Sequence, residues 1–109
     1  MDGTYEVVIT PRAEASLEEI LVYLIENVSM ETAERVRSRL LEVIYNLGKM
    51  PTANPVAHGI ISEKGIIYRR ALALSYRIVY TIKEEQLQVL VVEIHHVKRD
   101  PQGINESFE

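Results

Sequence analysis

The apolar positions change period part-way along the chain. Tyr5 to Ile9 is a short β-prone run, and Thr10-Pro11 ends it. Threonine is a good helix N-cap, and proline fits the first helical position, where its missing N–H costs nothing. Beyond it Ala13, Leu17, Ile20, Leu21, Leu24 and Val28 recur at helical spacing, with Arg12, Glu14, Glu18, Glu19 and Glu26 opposite. A break at residues 26–29 leads to Ser29, which can cap a second helix with Glu31 in its first turn. The apolar stripe of that helix is Ala33, Val36, Leu40, Val43, Ile44 and Leu47. Its outer face offers a Glu31–Arg35 pair, and Gly48 and Pro51 stop it. Tyr23 and Tyr45 fall at the stripe edges, where core packing is their simplest role.

Residues 51–65 hold Pro51, Asn54, Pro55, Gly59 and Gly65 and read as a loop. Three runs rich in Ile, Val, Leu and Tyr follow: Ile66–Leu72, Tyr76–Ile82 and Leu87–Ile94. Their short breaks predict an antiparallel meander. The last run is apolar at both alternating sets, as a central strand covered on both sides would be. The order is β-α-α-β-β-β. It predicts an α+β fold, an N-terminal helical hairpin packed on an antiparallel sheet. Residues 1–100 form one domain, and 101–109 a polar C-terminal tail.

Composition narrows the chemistry. The chain has 109 residues, room for one core, and no cysteine, so disulfides, thiolate metal sites and a cysteine nucleophile are excluded. Its start lacks signal-peptide features, and no apolar stretch approaches the ~20 residues that span a bilayer, so a cytoplasmic protein without a membrane partner is expected. The net charge of −4 is uneven. Residues 1–63 carry 5 Lys/Arg against 10 Asp/Glu, whereas residues 64–99 carry 7 against 3. The sheet half is therefore basic, and can offer a local patch to an anionic partner.

Three segments, in this order of elements, carry a resemblance to a known family. They are Tyr76-Arg77-Ile78-Val79-Tyr80, the basic strand Tyr68-Arg69-Arg70-Ala71-Leu72 before it, and the strand end His95-His96-Val97-Lys98-Arg99-Asp100-Pro101. The chain resembles the RelE/ParE toxins of type II toxin–antitoxin systems over Tyr5 to Asp100. For ParE-like members the resemblance implies a poison that inhibits DNA gyrase by binding. For RelE-like members it implies a metal-independent, ribosome-dependent mRNA endoribonuclease, in which cations stabilise phosphorane-like charge and a base and an acid serve the two oxygens. A third outcome is an inactive member that retains only antitoxin binding. All three imply a cognate antitoxin as partner, with gyrase or ribosome and mRNA as target, no cofactor, and a homodimer or a hetero-oligomer with the antitoxin. The antitoxin would lie in apolar grooves beside the helical hairpin and along a sheet edge.

By position, the resemblance implies that Arg70 and Arg99 contact a phosphate, with His96 as acid or base and Lys98 and Arg69 as target contacts. Where RelE-like members have two lysines and a tyrosine, this chain has Ile61, Glu63 and Asn105. The pattern therefore leans toward ParE. Arg70 and Arg99 could equally be surface ion pairs. Arg77 is expected to be structural, paired with a carboxylate. His95 and His96 are strand neighbours that must point to opposite faces, which leaves no metal pair, and His58 is expected on a loop surface.

Overall fold

The computed structural model describes residues 4–57 and 64–98. Strand β1 (Glu6–Ile9) leads through Thr10 into helix α1 (Pro11–Asn27), and Ser29 opens helix α2 (Met30–Asn46). Both expected caps form. Thr10 Oγ accepts the Ala13 N–H at 3.2 Å, and Ser29 Oγ accepts the Thr32 N–H at 3.0 Å. A 3₁₀ turn at Pro51–Ala53 begins the loop, and strands β2 (Arg69–Ala73), β3 (Tyr76–Lys83) and β4 (Gln88–His96) follow. The loop runs further than its composition predicts, because Ile66 to Tyr68 lie outside the sheet.

The sheet order is β1-β4-β3-β2, with β2, β3 and β4 an antiparallel meander and β4 central as expected. The first strand joins β4 in parallel, so the sheet is mixed at that edge. The helical hairpin returns the chain to the end of the sheet where β1 begins, and β2 and β3 then run out and back, so that β4 lies in the same sense as β1. Gly48 is required where the chain leaves α2: its carbonyl accepts the Tyr5 N–H at 2.8 Å, and a Cβ there would run into the Tyr5 carbonyl oxygen.

One sheet face packs on the helices. Ala13, Leu17 and Leu24 of α1 and Val36, Leu40 and Ile44 of α2 meet Ala71, Tyr76, Ile78, Tyr80, Val91 and Ile94. The other face carries a smaller cluster, Val79 and Val92 under Ala57 and Tyr68. Several surface expectations change. Val28 is exposed because it sits past the last turn of α1, and Tyr23 and Tyr45 are 62% and 56% exposed rather than packed. Among the described residues Glu31 and Arg35 form no ion pair; the pair on α2 is Arg39–Glu42 at 3.0 Å.

Candidate functional site

Strand pairing decides which candidates can act together, because residues paired across an antiparallel ladder project to the same face. Arg70 pairs with Val79, and Leu72 with Arg77, which in turn pairs with His95. Those residues project away from the helices. Ala73 pairs with Tyr76 and Tyr76 with His96, and that row lies on the helix side. Arg70 and His96, proposed partners in one site, therefore sit on opposite faces of the sheet. His95 shares the Arg70 face but is 2% exposed. Arg99, the third member of the expected set, lies outside the described residues, as do His58, Ile61, Glu63, Asn105 and the tail at 101–109.

His96 is held in place by two contacts. Its ring meets Tyr76 edge-on, with centroids 5.4 Å apart and planes at 82°, and its Nδ1 accepts the Lys98 N–H at 3.1 Å. In the neutral ring this bond assigns the lone pair to Nδ1 and the proton to Nε2. Burial, with a smaller push from the Tyr23 hydroxyl, raises the Tyr76 pKa above the ordinary tyrosine value.

The basic residues divide by role. The Arg69 guanidinium donates to the carbonyl of Asn54 at 2.7 Å and reaches that of Thr52 at 3.5 Å, so it pins the loop before β2. Tyr80 anchors the same loop from below. Its hydroxyl donates to the Pro51 carbonyl at 2.5 Å and accepts from Asn54 Nδ2 at 3.2 Å. Burial raises the Tyr80 pKa, with the Asn54 hydrogen bond and the Arg69 charge pulling the other way. Arg70 and Lys98 are exposed.

Arg77 does not make the carboxylate pair expected of it. It is half-buried, pairs with no carboxylate among the described residues, and its buried Nε has no hydrogen-bond partner. An unpartnered buried donor on a cation calls for an anion or water. Arg77 is diagonal to Arg70 across β2 and β3, which puts the two cations on one sheet face. The sequence held one signal for this: alternation places positions 70, 72, 77 and 79 on a common face once the two-residue turn at Leu74-Ser75 is fixed.

A second feature was not visible in the sequence. At the bulge in β4, where Val79 pairs with Glu93 but Tyr80 pairs with Val91, Glu93 is 1% exposed. Its carboxylate accepts the Ser16 hydroxyl at 2.6 Å and faces Arg12 at 3.7 Å. This joins the first turns of α1 to β4 beside His95 and His96. Among the described residues no group of His, Asp and Glu is arranged to hold a metal, and no helix is long and apolar enough to cross a membrane.

The family profile described as ParE toxin of type II toxin–antitoxin system, parDE, matches residues 7–101, nearly the whole chain. The chain belongs to the ParE toxin family. Solved structures share its fold. The chromosomal ParDE system of P. aeruginosa superposes with a TM-score of 0.68 at 16% identity, covering 86% of this chain and 97% of that one. The archaeal RelE–RelB complex from Pyrococcus horikoshii gives 0.62 at 16%, covering 89% and 99%. The RelBE2 complex of Mycobacterium tuberculosis gives 0.58 at 21%, covering 85% and 91%. No curated protein matches the chain by sequence.

Proposed function

We propose that this ParE-family toxin inhibits DNA gyrase by binding it, without bond-breaking chemistry, and is silenced by a cognate antitoxin. The observation that carries the reading is the separation of Arg70 and His96 onto opposite sheet faces. A nuclease needs its phosphate-binding cation and its proton-transfer group within hydrogen-bond reach of one scissile bond. Family membership supports the same direction. The antitoxin partner is supported by the relatives that occur as toxin–antitoxin complexes. Arg70, Lys98 and Arg99 are then target contacts, with Arg69 acting mainly by shaping the loop beside them. The test is plasmid supercoiling by purified gyrase with added toxin. Micromolar inhibition, reversed by antitoxin, is expected; unaffected supercoiling would leave the reading without support.

One observation favours the second reading, ribosome-dependent mRNA cleavage. Arg70 and Arg77 stand on one face, diagonal to each other, with no acidic partner among the described residues. In a coupled translation extract that reading expects mRNA cut only when ribosomes are present, and much less by Arg70→Ala. A chain that does neither, yet still binds its antitoxin, would be the inactive member.

A further inference from the structure

We propose that the groove between α1 and the end of the sheet takes an arginine or lysine side chain from an amphipathic basic segment of a partner protein. Glu19 is its counter-ion, and the exposed ring of Tyr23 supplies an aromatic face. The proposal rests on the toxin–antitoxin reading only in requiring a protein partner. The groove encloses about 460 Å³ and is lined by Ser16, Glu19, Ile20, Tyr23, Tyr76 and His96, among others. It continues along α1 as a shallower depression beside Glu18, Val22 and Glu26. Tyr23 and Val22 are 62% and 47% exposed, so the walls leave apolar surface in water.

Charge selects the occupant. Glu14, Glu18, Glu19 and Glu26 are all exposed on α1 and make no ion pair with a described residue. The one cation on that helix, Arg12, is turned to Glu93. A guanidinium or ammonium over a tyrosine face, with a carboxylate at the rim, is a favourable arrangement that an apolar or acidic side chain cannot match. The chain's own last eleven residues carry Arg99 against Asp100, Glu106 and Glu109, the wrong sign for this surface. Apolar residues on the same partner segment would cover Val22 and the ring of Tyr23.

The test is an NMR titration of the full chain with N-acetyl-arginine N-methylamide, beside its norleucine counterpart at equal ionic strength. The arginine probe is expected to shift the amides of Glu19, Tyr23, Tyr76 and His96 along one saturating curve. Glu19→Gln should weaken it by about threefold, the scale of an exposed ion pair. Tyr23→Ala should weaken it too, while Tyr45→Ala, at an exposed tyrosine on the other helix, leaves it unchanged. Equal shifts from norleucine would overturn the proposal, as would shifts spread alike over Glu14, Glu31 and Glu84. A concentration-dependent dimer in sedimentation without probe would assign the groove to a second copy and overturn it as well. Growth arrest and supercoiling do not enter this assay, so its failure is distinct from failure of the toxin reading.

Discussion

Replacing Ser16 with alanine tests the link between α1 and the bulged strand. The serine hydroxyl donates at 2.6 Å to Glu93, whose side chain is almost wholly out of water. A hydrogen bond to a charged group contributes about 1.5–3 kcal/mol, and a buried carboxylate that loses a donor cannot recruit water to replace it. Glu93 keeps other partners, Arg12 among them, so the lower half of that range applies. Ser16→Ala should therefore cost about 1.5–2 kcal/mol. For a domain of this size each kcal/mol lowers Tm by about 4 °C or somewhat more. Arg12 faces the same carboxylate from 3.7 Å, and because Glu93 is buried, Arg12→Gln, which takes the cation away from it, should cost at least as much, about 2–3 kcal/mol. Urea denaturation with an unchanged m-value measures both. In a Glu93→Leu background the Ser16→Ala effect should vanish, which isolates the pairwise interaction. If Ser16→Ala changes stability by less than about 0.5 kcal/mol, the hydrogen bond is not what joins helix to strand.

Other substitutions probe other parts of the fold. Leu74 has φ +57° at the tip of the β2–β3 hairpin and is 58% exposed; Leu74→Gly should stabilise by about 1 kcal/mol in thermal melts, since only glycine takes that conformation without cost. Gly48→Ala should destabilise by about 1–3 kcal/mol, because its methyl group meets the Tyr5 carbonyl and forces β1 away from the end of α2. Tyr80→Phe leaves the Pro51 carbonyl and the Asn54 amide without their partner, and should cost about 1–3 kcal/mol by denaturant titration. The raised pKa values of Tyr80 and Tyr76 have a pH consequence. Their folded forms hold the proton more tightly than the unfolded chain, so the stability they contribute is complete below about pH 10 and is lost as pH rises through the folded values. Urea midpoints measured from pH 8 to 11 should fall only at the alkaline end, and less steeply in Tyr80→Phe.

Much of the fold was legible because its signals are local. Thr10-Pro11 and Ser29 mark helix starts through side-chain chemistry that acts within one turn. The unbroken apolar run at Leu87–Val92 marks a central strand whichever strands flank it. The parallel β1–β4 pairing was not legible, since it joins Glu6 to Gln88 across the whole helical hairpin and no local pattern encodes it. The site was less legible for the same reason. Arg70 and His96 look like partners in sequence, but their faces depend on pairing with Val79 and Tyr76. A shift of one residue in either pairing would exchange those faces. Tyr23 misled through its period: it lies one position round the helix from the buried row of Leu17 and Leu24 and faces water. The importance of Arg77 and Glu93 emerged only with burial, which composition and spacing do not report.

The most direct test of the binding reading is plasmid topology in cells after induced expression. Extraction of a reporter plasmid within minutes of induction, run on a chloroquine gel, should show loss of negative supercoiling while reporter mRNA stays full length, and co-expressed antitoxin should restore the normal distribution. Unchanged topoisomers together with truncated mRNA would contradict it, and would move Arg70 and Arg77 from contact surface to catalytic groups.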